Sequence, residues 1–257
     1  MKGGRSRLLY DLLNIIAAGA LILYNLLHYR QKKELLGGVS RSVMEHFREK
    51  GPGGINGLLA APVIWTVLEI AIISACQYWL TGYFNVMLGE ALDTGSNYFG
   101  NLFSAPVLVL LACLLLRIDF LAQMDLITPA FPLALSISKV GCYTAACCGG
   151  IPWEHGYYNP ISRTMEFPIQ LLEAAVGLML FLVLQGFKKK FPKGTIFPAY
   201  LIAFSGIRFF TEFLRCEPNV FMGLKVYHFL CIAGVLIGLL EWLTVEKYKA
   251  YCRKKTA

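Results

Sequence analysis

Charge is scarce in this chain: 16% of its 257 residues are Asp, Glu, Lys or Arg, 56% are hydrophobic, and the mean hydropathy is +0.56. That scarcity excludes an ordinary soluble globular domain. Regular cysteine spacing is missing too, so the eight cysteines outline no disulfide framework, and several lie within apolar runs. There is no internal repeat and no low-complexity segment, which excludes a solenoid and favours one membrane domain over 1–257. Acidic residues number 16 against 24 Lys and Arg, a net charge of +8. Such a balance can signal nucleic acid, but here the cations sit at the ends of apolar runs, where membrane proteins hold anionic lipid and set topology. A nucleic-acid partner is therefore not expected.

What is present in quantity is long apolar segments. A helix needs about 20 apolar residues to cross the hydrocarbon core, and within lipid each span must satisfy its own backbone, so the class is all-α and polytopic. Seven spans are predicted, over 8–27, 58–80, 99–116, 120–148, 167–187, 196–214 and 226–245. The fourth is long enough to bend at Pro129 and Pro132. The first resembles a signal sequence, with Lys2, Arg5 and Arg7 before it, but no small-residue cleavage site follows; His28-Tyr29-Arg30-Gln31-Lys32-Lys33 does, so a retained helix is expected. A loop over 29–56 carries a short interfacial helix near 39–49. With the amino terminus outside, 16 loop cations fall inside and 6 outside, which predicts a cytoplasmic carboxyl terminus.

Ionisable residues within spans cost several kcal/mol unless paired or hydrated, which makes Asp11, Glu69, Asp125, Lys139, Glu173, Arg208 and Glu212 candidates. Lys139, Glu173, Arg208 and Glu212 are expected at similar depth, in one cavity toward the outer leaflet. Arg208 and Glu212 are four apart and share a helix face. They make either an internal ion pair or a guanidinium positioned for phosphate, with Lys139 as a second point charge or a snorkelling lysine. For Asp11, Glu69 and His228, ion pairing or helix contact is expected before catalysis.

The stretch from Lys139 through Gly141, Cys142, Cys147 and Cys148 to Gly149 and Gly150 carries three thiols in seven residues. Thiolate nucleophile, disulfide exchanger, metal site and plain packing all remain open. Adjacent Cys147 and Cys148, five or more from Cys142, make a poor zinc spacing, so no metal is predicted.

Three blocks then resemble the prolipoprotein diacylglyceryl transferase family, in order and spacing, over about the last two thirds of the chain. They are Phe120 through Asp125 and Pro129 to Lys139, Gly141, Cys142 and Tyr143; Phe167-Pro168-Ile169-Gln170-Leu171-Leu172-Glu173; and Gly206-Ile207-Arg208-Phe209-Phe210-Thr211-Glu212-Phe213-Leu214-Arg215 with Glu217-Pro218. The resemblance implies transfer of a diacylglyceryl group from phosphatidylglycerol to a lipobox cysteine thiol, at the outer face of the bacterial cytoplasmic membrane and without a cofactor. It also implies headgroup and catalytic roles for Arg208 and Glu212, and Gln170 and Glu173 match a further segment of the family pattern; Lys139, Cys142, Gln170, Glu173 and Arg215 are expected to contact substrate. The partners are thus an anionic phospholipid and a thiol-bearing protein or peptide.

The chain departs from that pattern. The signature Arg-x-Gly-Asn-Phe-x-Asn-Gly-Glu reads Lys139-Val140-Gly141-Cys142-Tyr143-Thr144-Ala145-Ala146-Cys147, and the family's His-Gly-Gly aligns with Phe99-Gly100-Asn101. The chain is similar to a cysteine-bearing branch, in which Cys147 or Cys148 stands where the parent enzymes do chemistry. An outward thiol–disulfide site built from Cys142, Cys147 and Cys148, or a non-catalytic lipid binder, are the alternatives.

Overall fold

A computed structural model describes residues 3–28, 98–116 and 119–256. The second predicted span (58–80), the interfacial helix near 39–49, and Glu69 lie outside them. The described elements are α1 (Gly3–Leu27), α2 (Tyr98–Leu116), α3 (Phe120–Ile127), α4 (Ala130–Thr144), β1 (Pro152–Asn159), β2 (Thr164–Glu166), α5 (Ile169–Phe187), α6 (Ile196–Glu212) and α7 (Val226–Thr256). Among the described residues four helical segments are long and apolar enough to cross a membrane: Leu8–Asn25, Phe120–Thr144 (α3 with α4), Ile169–Phe187 and Val226–Tyr251.

The chain divides into two compact units. The smaller, Ile22–Ile127, packs α2 on α3, and buries Phe99, Leu102, Val109, Met124 and Leu126. The larger comprises Met1–Leu21 and Thr128–Ala257 and contains the helices that build the candidate site.

In the larger unit α4 packs on α5 and α6 on α7, with lighter contact between α5 and α6. Leu171, Leu178, Met179 and Leu182 on α5 and Leu236, Leu240 and Leu243 on α7 point outward and are exposed, while Gln170, Glu173, Arg208 and Glu212 are buried. Greasy outside and polar inside is the arrangement expected of a bundle whose solvent is lipid. Small residues let the helices approach. A side chain on Gly177 of α5 would meet the Pro132 carbonyl of α4 at 2.8 Å, and one on Gly238 of α7 would meet Ile202 of α6 at the same distance. Ser138 of α4 donates to Asn14 of α1 at 2.8 Å.

The fourth predicted span is interrupted at Thr128–Pro129, where α3 ends and α4 begins, as the proline predicts, and its helix stops at Thr144 rather than Cys148. The next departure is a two-stranded antiparallel hairpin, β1 with β2, pairing Tyr157 with Glu166, Tyr158 with Met165 and Asn159 with Thr164. It stands outside the spans and qualifies the all-α expectation only there.

Candidate functional site

Glu173, in the second turn of α5, holds the centre of a buried ionic network. Its Oε2 lies 2.6 Å from Lys139 Nζ on α4. Its Oε1 accepts from Arg208 Nη1 on α6, and from Arg215 Nη1 just past α6 at 3.1 Å. Arg208 Nη2 reaches Glu212 Oε2 at 2.6 Å, one turn along the same helix. Arg215 Nε also faces the more exposed Glu217 at 3.3 Å. Tyr227 of α7 lies under the Arg208 guanidinium, 5.9 Å to the ring centroid.

Lys225 completes the network. Its Nζ donates to the Glu212 carbonyl at 2.7 Å and to the Arg215 carbonyl, placing a cation on the open carbonyls that end α6. His228 is wholly buried, accepts at Nδ1 from the Lys225 N–H at 3.0 Å, and packs on Phe209 and Phe213. Four cations thus face Glu173, Glu212 and the peripheral Glu217, which leaves the buried cluster with an excess of positive charge suited to an anion. One Nη on each side of Arg208 is taken by a carboxylate, and the guanidinium has further N–H donors to offer.

Beside the ions lies the cysteine loop. After α4 ends, Ala146 and Cys148 take positive φ of 55° and 58°, unusual for residues with a Cβ. Those turns fold the chain back so that the Cys147 N–H donates to the Cys142 carbonyl at 3.1 Å. The sulfurs of Cys142, Cys147 and Cys148 all lie within 4.8 Å of one another. Cys142 is buried, Cys147 half-buried and Cys148 exposed. Hydrogen bonds with Cys142 and Cys147, and the nearby Lys139 and Arg215 cations, hold the Cys148 thiol well below the ordinary thiol range.

Surrounding groups pin this loop. Gln170 Nε2 donates to the Cys147 carbonyl at 2.7 Å and to Tyr157 Oη at 3.0 Å. Asn159 Nδ2 donates to the Ala146 carbonyl at 3.1 Å and to Glu166 Oε2 at 2.9 Å. The Cys216 N–H bonds the Gly149 carbonyl at 3.1 Å, tying the loop to the end of α6, and a side chain on Gly149 would collide with the Glu166 carboxylate.

These contacts bring together all the predicted site residues: Lys139, Cys142, Cys147, Cys148, Gln170, Glu173, Arg208, Glu212 and Arg215. Asp11 is exposed on α1, and Asp125 belongs to the smaller unit. Sequence reasoning missed Lys225 and the clasp formed by Asn159, Tyr157 and Glu166. A lysine on the threshold of an apolar span was the available signal for Lys225; the hairpin residues offered none.

The family profile for prolipoprotein diacylglyceryl transferase matches residues 10–244. The chain belongs to the prolipoprotein diacylglyceryl transferase family. Curated relatives include phosphatidylglycerol–prolipoprotein diacylglyceryl transferases of Clostridium tetani, 27% identical over 88% of this chain and 88% of the relative, and of Finegoldia magna, 27% identical over 72% and 77%. The Chlorobaculum tepidum enzyme of the same name is 32% identical over 58% of this chain and 55% of its own length. Membership makes the chain a membrane lipid transferase, and nothing in these likenesses favours a redox protein.

Proposed function

We propose that the chain moves a diacylglyceryl group from an anionic phospholipid of the phosphatidylglycerol type to the thiol of an acceptor protein. The observation that carries this is the buried knot of Lys139, Arg208 and Arg215 on a single Glu173, a few residues from three thiols. In the reaction the acceptor sulfur, as thiolate, attacks the glyceryl carbon next to the phosphate. The C–S bond forms as the C–O bond breaks, and glycerol phosphate leaves with the electron pair. Arg208 binds the phosphate, helped by Lys139 and Arg215, because arginine matches phosphate bidentately and charge grows on the leaving oxygen. Glu173 and Glu212 fix the guanidinium.

The acceptor thiol must lose a proton, and on the resemblance the family's histidine falls at Phe99, which cannot take one. The cysteine loop is the group beside the cations that can meet this need. A covalent diacylglyceryl–Cys148 intermediate is disfavoured, since it would be a thioether, from which a second thiol could displace the lipid only by expelling a thiolate from an unactivated carbon. Seven spans, an outer amino terminus and a site at the outer face of the bacterial cytoplasmic membrane complete the reading, supported by the loop charges.

The test uses purified protein, labelled phosphatidylglycerol and a cysteine-containing lipobox peptide. Label is expected on the peptide with the wild type and not with Arg208→Ala. Retained lipid binding without any labelled peptide would sink the proposal.

A further inference from the structure

Spacing in the sequence argued against a metal at the cysteines, because adjacent thiols on an ordinary chain diverge. Here the left-handed turns at Ala146 and Cys148 bring Cys147 and Cys148 to the same side as Cys142, the last buried thiol of α4. Three sulfurs meeting at one place is more than a disulfide uses. Among the described residues no histidine or carboxylate joins them, so the donor set is three sulfurs and nothing else.

We infer that Cys142, Cys147 and Cys148 bind one zinc ion as thiolates, leaving a fourth position in which the acceptor's thiol is bound and deprotonated for transfer. The inference rests on the transferase reading above and supplies the step that reading leaves open.

The chemistry favours zinc for several reasons. Thiolates select soft or borderline ions, and zinc with three protein ligands and one open position is the catalytic rather than the structural form. A tetrahedral zinc with bonds of about 2.3 Å keeps its sulfurs about 3.8 Å apart. Sulfurs already within 4.8 Å need to close by no more than about an ångström. The loop that must hold them is fixed from three directions by Gln170, Asn159 and Cys216.

Charge is offset in part. A divalent ion with three thiolates is a monoanion, and the acceptor thiolate makes it a dianion. The Lys139 and Arg215 cations stand beside Cys148 to offset it. Binding releases the acceptor's proton to solvent, because a thiol coordinated to zinc ionises. The bound sulfur then attacks the glyceryl carbon, and no oxidant or reductant enters. Cys148, the exposed member, marks the side from which an acceptor would approach.

The full-length protein, purified in detergent under reductant, is stripped with chelator and titrated with Zn²⁺ or Co²⁺. One ion per chain is expected. Co²⁺ should give sulfur-to-metal charge-transfer absorption and tetrahedral visible bands that weaken at least fivefold in Cys142→Ser, Cys147→Ser and Cys148→Ser. The visible bands should shift on adding the cysteine peptide but not its serine counterpart, and chelator should lower transfer at least tenfold, reversed by Zn²⁺. Arg208→Ala should keep the Co²⁺ spectrum while losing transfer, which separates the metal site from the lipid reaction and does not depend on a cysteine variant folding. Metal content near zero with transfer untouched by chelator would overturn the inference and leave the transferase reading standing. A bound ion whose spectrum ignores the cysteine peptide would overturn the open position. Cobalt binding and a peptide-induced shift without lipid transfer would support the site and count against the transferase reading alone.

Discussion

Glu173 carries more of this site than any other side chain, because Lys139, Arg208 and Arg215 converge on it where water is scarce. Removing one partner of a buried ion pair typically costs about 3–5 kcal/mol, since the remaining charge is stranded. Glu173→Gln keeps the shape but takes the shared carboxylate from three cations, leaving Lys139 stranded while Arg208 keeps Glu212 and Arg215 keeps Glu217. It is expected to destabilise by an amount in that range and to abolish transfer, as read by thermal unfolding in detergent and by the peptide assay. Adding Lys139→Gln should restore part of the lost stability, because it removes the charge left stranded; further destabilisation by the second change would show that the pairing is not what holds Glu173. Arg208→Lys tests geometry at constant charge. Lysine reaches one carboxylate as a point donor but cannot bridge Glu173, Glu212 and a phosphate with a planar fork, so transfer should fall roughly a hundredfold. Activity near wild type would reduce Arg208 to a neutralising charge.

Helices and turns differed in how readable they were. The helices α2, α5 and α6 and the break before α4 follow from apolar length and from Pro129, because lipid allows the backbone few alternatives. Lys139, Glu173, Arg208 and Glu212 were legible for the same reason: hydrocarbon makes each of them conspicuous. The cysteine loop was not legible, since its shape depends on positive φ at an alanine and a cysteine, neither of which signals a left-handed turn. Nor was its clasp, where Asn159 and Gln170 reach carbonyls 13 and 23 residues away. Gln170→Ala removes the donor to the Cys147 carbonyl and should weaken Zn²⁺ retention by about 10–100-fold, as supporting groups around metal ligands do. A competition with a calibrated chelator measures it. Closer helix contacts have their own test: Gly177→Leu on α5 drives a side chain at the Pro132 carbonyl of α4. Overpacking of that kind costs about 1–3 kcal/mol, and here it would also push Glu173 away from Lys139. A lower unfolding temperature with intact transfer would mean that α4 and α5 are held less tightly than their glycine contact implies.

The charged site and the cation pattern together make a statement about the whole protein in its bilayer. α6 has 17 residues, about 25 Å at 1.5 Å per residue, somewhat less than a hydrocarbon core of about 30 Å. Its far end is the polar end, with Arg208, Glu212, Arg215 and the Lys225 cap. The shortfall therefore belongs on the side of the site, where headgroups and water can reach the cations. The opposite end of α6 follows Lys188, Lys189, Lys190 and Lys193, and clustered lysines of this kind stay in the cytoplasm. On the proposed topology, a single passage of α6 would put Cys216 and Lys189, both exposed, on opposite faces of the membrane. In a Cys148→Ser background, which removes the other exposed thiol on that side, a membrane-impermeant maleimide applied to intact spheroplasts should label Cys216, with the signal sharply reduced on adding Cys216→Ser. A cysteine introduced by Lys189→Cys in that background should react only after permeabilisation. Labelling of the introduced cysteine from outside would invert the topology and move the cationic knot to the inner face, where an extracytoplasmic acceptor thiol could not reach it.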